Sequence, residues 1–398
     1  MALNFELSEE QQMIQNSARD LMKKFEPRRE ELIRMIMKEK KFPEEMWQAI
    51  SEAGFLGSLI PEEYGGSNLG LLALAFAVEQ MGIHGYGNVI LILTAMDSLA
   101  ILRNGSEELK RRFLPKIAQG KVKLCFAVTE PNAGSNTFRI TTMAKKNGSG
   151  YAITGQKTFI TGADVADYCL LVTRTMSIEE AQAQGFPKAY GLSVFLVDTK
   201  AKGFGMKPIP TRGIEGMTQF TLYLDGVHVP SENIVGEEHL GSYALFNTLN
   251  PERILAAAQA VGIVNYLLRK AVEYAHERKV FKDRPIGSYQ AIQHPLAEIK
   301  IEEEAARLLT YRAAWAFDQQ KDPGQIGTMA NMAKFLAAET AIKAADRAIE
   351  TLGGYGFSEE YGVIHYWEAM RLLRTAPISR EMILNYVSEH VLGLPRSY

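Results

Sequence analysis

The chain has 398 residues, 46% of them apolar and 23% charged, with a formal net charge of −2. That length predicts two or three domains with sizeable cores, and the near balance of charge excludes an extended basic footprint for nucleic acid. No uninterrupted apolar run approaches a membrane span, and two cysteines with seven scattered histidines give neither a disulfide framework nor metal-ligand spacing.

The N-terminal stretch MALNFELSEEQQMI is acidic and runs directly into a helical pattern, with Ser8 and Gln11 spaced as a capping box. It resembles neither a signal peptide nor an Arg-rich transit peptide, so a cytoplasmic protein is expected. Residues 1–121 read as a helical domain. LAILRNGSEELKRRFLPKIAQG carries apolar residues at three- and four-residue spacing, and IPEEYGGSNLG and RNGSEE supply the turns.

Residues 122–236 change texture. VKLCFAVTEP, GYAITGQKTFIT, DYCLLVTRT, YGLSVFLVDT and TQFTLYLDGVHVP are short runs rich in β-branched and aromatic residues, divided by Gly, Asn, Asp and Pro. They predict an antiparallel sandwich or barrel, because no helix-length patterns alternate with them. Cys125 and Cys169 lie in apolar stretches and read as small buried thiols. In CFAVTEPNAGSNT an apolar strand stops at Thr-Glu-Pro and enters a turn where an anion could approach Gly134 and Ser135. On the residues alone, an ordinary hairpin connection accounts for this loop better.

Residues 237–398 are helical again. Ile254, Ala258, Val261, Asn265, Leu268 and Val272 mark one helix, and Ile292, Leu296, Ile299, Leu308 and Trp315 a second. Phe335 and Ile342 belong to a third, and Met382, Tyr386 and Val391 to a fourth, so an up-and-down four-helix bundle is expected. In LNPERILAAA, Asn250 reads as N-cap, Pro251 as the first helical residue and Glu252 as an acid at the positive end of the helix. Read locally, Glu252 is first a helix-terminal acid. The fold class is thus α+β multidomain: an N-terminal helical domain, a central antiparallel β-domain and a C-terminal four-helix bundle.

The ordered motifs GFLGSLIPEEYGG, TEPNAGSN, GQKTFIT, PERILAA, RKVF with QAIQHPLAE, and LGGYGF together resemble the acyl-CoA dehydrogenase family of flavoproteins across essentially the whole chain. The resemblance implies a homotetramer binding FAD in an extended form, which explains why no GxGxxG follows a strand. Phe126, Val128 and Thr129 match residues lining the isoalloxazine ring. Ser135, next to Gly134, matches the pyrophosphate position and lies near the CoA side of the cleft. Phe159 matches an aromatic residue over the flavin, and Thr161 a hydroxyl near flavin N5. Arg278, Phe281 and Gln290 match positions by which a neighbouring subunit holds the adenine half. Glu350, Gly353 and Gly354 match the stretch where a partner's backbone nears the cofactor. Lys282 and Asp283 stand where relatives have a single Gly, which alters the loop before Gln290.

Many relatives place the catalytic carboxylate near the C-terminus. Here that position is Thr375, in LLRTAPISREM, with Pro377 reading as the start of the last helix. In the isovaleryl-type branch the base precedes an Arg on the bundle's first long helix, and Glu252 is the matching residue. Its neighbours Asn250 and Arg253, with the Thr375 backbone N–H, are expected on the substrate, and Glu368 or Glu381 are the next candidates for the base. The implied activity is α,β-dehydrogenation of an acyl-CoA to the trans-2-enoyl-CoA, with a mild preference for a branched, cyclic or modified acyl group. Electrons would pass to electron-transferring flavoprotein. The alternatives are an oxidase, desulfinase or monooxygenase on the same fold, or a CoA- or flavin-binding scaffold without a base.

Overall fold

A computed structural model describes residues 6–213, 217–246 and 248–397. In chain order its helices and strands begin with α1 (Glu9–Lys23), α2 (Arg29–Met37), α3 (Glu44–Glu52), α4 (Gly70–Ile83), α5 (Val89–Asn104) and α6 (Glu107–Ala118). Next come β1 (Leu124–Ala127), β2 (Met143–Asn147), β3 (Gly150–Thr161), β4 (Tyr168–Arg174), α7 (Ile178–Ala183), β5 (Leu192–Asp198), β6 (Phe204–Ile209) and β7 (Gln219–Pro230). The last part holds α8 (Gly241–Phe246), α9 (Leu249–Glu277), β8 (Lys279–Val280), β9 (Arg284–Pro285), α10 (Gln290–Asp318), α11 (Pro323–Leu352), α12 (Val363–Leu372) and α13 (Arg380–His390). By their internal packing these residues form two compact units. One comprises Met1–Arg34, Leu69–Gly87 and Arg253–Tyr398, the other Met35–Asn68 and Asn88–Glu252.

The second unit is built on a seven-stranded sheet ordered β1-β4-β2-β3-β7-β6, with β5 on β4. Most pairings are antiparallel, but β1 runs parallel to β4, setting Cys125 opposite Cys169. Both thiols are buried, as expected. The core between this sheet and the helices uses Ala100 and Ile101 from α5, Leu109, Phe113 and Leu114 from α6, and Leu124, Leu170, Val172 and Leu196 from the strands. Their alternation along each strand aims apolar side chains at one layer, which is what holds helix on sheet.

The first unit is helical. α9, α10 and α11 are 29, 29 and 30 residues long. α11 turns Ala330, Ala333, Ala337, Ala341, Ala344, Ala345 and Ala348 inward, so its backbone comes close to its neighbours. α4 and α9 approach still more closely. A Cβ on Gly262 would fall 2.2 Å from the Glu79 carbonyl oxygen, so only glycine fits there. The Asp318 carboxylate accepts from the Leu71 and Leu72 N–H groups at 2.7 and 2.9 Å and satisfies the start of α4. Within the bundle, Glu79 receives Arg307 Nε and the Tyr311 hydroxyl at 2.9 and 2.7 Å, and Arg307 also pairs with Glu303.

Four details depart from expectation. α9 opens at Leu249, so Asn250 lies in its first turn and is not its cap. The last helix opens at Arg380, capped by the Ser379 hydroxyl on Met382 N, because that side chain supplies an acceptor and Pro377 does not. The fourth helix, α13, has only 11 residues, and a further short helix, α12, precedes it, with the turns SEEYG and TAPIS before and after α12. Finally Val272, Leu308 and Trp315 are 41%, 53% and 45% exposed, so they lie outside the core their spacing suggested.

Candidate active site

In the second unit the site residues gather at the end of β1. Phe126 and Val128 are half-buried and pack on the cluster formed by Ala100, Ile101 and Leu124, and Leu249 packs on the same cluster. The opening of α9, three residues before Glu252, is therefore anchored under the strand that carries Phe126. Glu252 and Asn250 are themselves half-buried.

Past Thr129 the chain makes a tight turn. Glu130 N donates to Ala133 O at 3.0 Å and Ala133 N returns a bond to Glu130 O at 3.1 Å. Gly134 and Ser135 follow, exposed, and a Cβ on Gly134 would meet nothing within 4 Å. The turn is pinned from below by a residue pair that the motifs did not single out. Lys157, fully buried on β3, donates to Glu130 Oε1 at 2.9 Å and to the Val128 carbonyl at 3.0 Å. Glu130 also accepts from Thr141 N, Thr141 Oγ1 and Thr142 N at 2.8, 2.8 and 3.0 Å. Burial alone would raise the Glu130 carboxyl, but the Lys157 cation and these donors outweigh it and hold the group at about 2. No sequence signal joins Glu130, in the turn after β1, to Lys157 on β3, 27 residues further on.

Two residues beyond Lys157 the pairing of β3 with β7 slips between Lys157 and Ile160. Phe159 sits in that bulge with φ at +55° and 57% of its surface exposed. A bulky residue in the left-handed region costs about 1–2 kcal/mol. A large apolar ring held outward at that cost fits an aromatic partner laid against it. Thr161 closes the strand, with Oγ1 bonded to the Gln219 side chain at 3.1 Å.

The first unit collects a different set. Arg278, Glu350, Gly353 and Gly354 line a cavity of about 620 Å³ together with Tyr274, Tyr355 and others. A Cβ on either glycine would meet nothing within 4 Å, and Glu350 is ion-paired with Arg347. An always-charged guanidinium beside open backbone suits a phosphate-bearing ligand. Phe281 and Gln290 are not among the lining residues. Phe281 (φ +22°) is 82% exposed and begins a turn continued by Lys282 and Asp283 at +59° and +58°. Those three residues join β8 to β9, so the extra residue widens the hairpin tip.

Thr375 is exposed, but its N–H donates to the Leu372 carbonyl at 2.7 Å. The expectation that this N–H polarises a thioester is corrected here, since the donor is already engaged within its own turn. The loop around it is clamped. Glu339 accepts from Arg374 Nε and Arg380 Nε at 2.8 and 3.2 Å, and Lys334 donates to the carbonyls of Leu373 and Ile378. Of the two reserve acids, Glu381 is 72% exposed at the side chain. Among the described residues no group of His, Cys, Asp and Glu is arranged to hold a metal ion, and no helix is long and apolar enough to cross a membrane.

The helical–β–helical order and the outward aromatic ring on the β-sheet are compatible with a flavoprotein, and the comparisons give the family. Family models for the N-terminal, middle and C-terminal domains of acyl-CoA dehydrogenase match residues 8–121, 125–227 and 240–392. The chain is 43% identical over 355 residues to acyl-CoA dehydrogenase FadE12 of Mycobacterium tuberculosis, covering 89% of each. It superposes on butyryl-CoA dehydrogenase of Megasphaera elsdenii with a TM-score of 0.88 and 29% identity, covering 98% of this chain and 100% of that one. A chain in the structure of the electron transferring flavoprotein of Acidaminococcus fermentans gives 0.89 and 31%, again over 98% and 100%. This protein belongs to the acyl-CoA dehydrogenase family, a family of FAD-dependent oxidoreductases.

Proposed function

We propose that the chain dehydrogenates an acyl-CoA thioester between C2 and C3, with Glu252 as the base that removes the C2 proton. One observation carries this reading. Glu252 is a half-buried carboxylate in the first turn of α9, tied through Leu249 to the cluster under Phe126 and Val128, while the alternative position holds Thr375. The C2 proton is only weakly acidic, so it needs a carboxylate drawn partly out of water. The positive end of α9 favours a negative side chain there by about 0.3–1 kcal/mol. FAD, when bound, supplies the acceptor for the hydride leaving C3.

Phe126, Val128, Thr129 and Phe159 would hold the flavin, and Thr161 would face its reactive edge. Gly134 and Ser135 would accept phosphate and the CoA side. Arg278, Gly353 and Gly354 would take the adenine half, with Glu350 beside them and Phe281 and Gln290 at the margin. Asn250 and Arg253 would position the thioester. Electron-transferring flavoprotein is the proposed acceptor, supported by the likeness to the Acidaminococcus fermentans chain.

Glu252→Gln tests the base. The variant should fold and stay yellow yet lose anaerobic flavin reduction by acyl-CoA at least a thousandfold. A loss below tenfold would overturn the assignment. Peroxide release under air, compared with turnover on an artificial acceptor, separates dehydrogenase from oxidase.

A further inference from the structure

α5 is apolar nearly throughout. Between Ile90 and Ile101 it buries Leu91, Ile92, Leu93, Ala95, Met96, Leu99 and Ala100, and among them stands Asp97 with none of its surface exposed. Both of its carboxyl oxygens are buried and have no hydrogen-bond partner among the described residues. Leaving buried polar atoms unpaired carries a desolvation cost that any aliphatic residue at this position would avoid. Such a group calls for a ligand or a chemical role.

Its surroundings indicate which. Thr94 Oγ1 accepts from Leu124 N at 3.0 Å, fixing this face of α5 to β1. Asp97 lies one helical turn further along the same face. Its carboxyl is in electrostatic reach of Cys125 on β1 and of Glu252. Phe126 and Val128, the flavin-lining residues of the proposed function, pack on the core cluster to which Ala100 and Ile101, in the next turn of α5, belong.

We propose that Asp97 is a specificity residue of the acyl site, whose carboxyl group is the hydrogen-bonding partner of a neutral oxygen function, a hydroxyl foremost, carried on the acyl chain a few carbons beyond C2. Burial first, then Cys125 and Glu252, push the Asp97 carboxyl well above the ordinary carboxylate range. That direction favours its neutral form, and a neutral acid both donates to and accepts from a hydroxyl. A purely aliphatic chain would leave both oxygens unpaired, and discrimination built on buried polar groups exceeds what an apolar wall supplies.

The inference rests on Glu252 marking the acyl site, and its test reads binding apart from turnover. Holoenzyme carrying Glu252→Gln is titrated with hexanoyl-CoA and with its 4-, 5- and 6-hydroxy derivatives, following perturbation of the flavin spectrum. At least one hydroxy derivative should bind ten times or more tightly than hexanoyl-CoA. Adding Asp97→Leu should abolish that preference or reverse it, and Asp97→Asn, whose amide also donates and accepts, should retain most of it. If Asp97→Leu does not accumulate as yellow protein, Asp97→Ser, too short to reach, replaces it. Hexanoyl-CoA bound as tightly as every hydroxy derivative would overturn the proposal, and so would a preference that survives Asp97→Leu or Asp97→Ser. If Glu252→Gln keeps full turnover, the base assignment fails, while the binding ratios still decide the role of Asp97.

Discussion

Lys157 and Glu130 are the residues on which the geometry of the TEP turn most depends. Glu130→Gln would leave the buried Lys157 ammonium without its counter-charge, and breaking one side of a buried pair costs about 3–5 kcal/mol. Urea unfolding should show a lower midpoint, and FAD should dissociate faster because the turn after Val128 loses the carboxylate that holds Lys157 and the Thr141 and Thr142 N–H groups in place. The same pair gives a pH dependence. The Glu130 carboxyl sits at about 2 in the folded chain against an ordinary 4.5, so the folded state binds fewer protons between those values. Its stabilisation is whole above about pH 4.5 and is lost as pH falls toward 2, and Glu130→Gln should flatten stability across that window. Phe159→Gly separates strain from function: glycine adopts φ +55° freely, so folding should strengthen by roughly 1 kcal/mol while FAD retention falls. The motifs pointed to Phe159 and Thr161 by resemblance, but Glu130, Lys157 and Asp97 went unread. Nothing local marks a partner 27 residues away, and a single Asp in an apolar helix looks like a polar interruption until its burial is seen.

Among elements, the capping box at Ser8 and Gln11 and the strand runs were legible because their signals are local. The helix ends near the proposed chemistry were not. α9 opens two residues earlier than an Asn250 cap implied, and α13 opens three residues after Pro377. The first depends on long-range packing, of Leu249 on the β1 cluster, and the second on the Ser379 cap, in a loop whose carbonyls Lys334 holds. Hydrogen bonds to a charged donor contribute about 1.5–3 kcal/mol. Lys334→Met, which releases the Leu373 and Ile378 carbonyls, should lower stability by at least that amount and speed proteolytic nicking between 373 and 380. Unchanged nicking would show that Glu339 with Arg374 and Arg380 holds the loop alone.

For the whole molecule, the architecture followed from a change of period, from helical spacing to strand runs and back. Parallel pairing of β1 with β4 carries no such mark and appeared only with the strands assembled. Ile301, Leu308 and Trp315, spaced by seven along α10, are 71%, 53% and 45% exposed, an apolar stripe unusual on a solitary domain. We propose that the chain assembles with copies of itself and that this stripe is buried between them. Leu308→Glu with Trp315→Glu should shift the protein to a smaller species in sedimentation and weaken FAD binding, whereas an unchanged assembly would place subunit contacts elsewhere. The measurement that bears most directly on the account is anaerobic stopped-flow reduction of the flavin in Glu252→Gln. With Glu252 as the base, the variant stays yellow through many minutes of exposure to an acyl-CoA that bleaches the unaltered enzyme in seconds. Bleaching at a comparable rate would mean that another group takes the C2 proton.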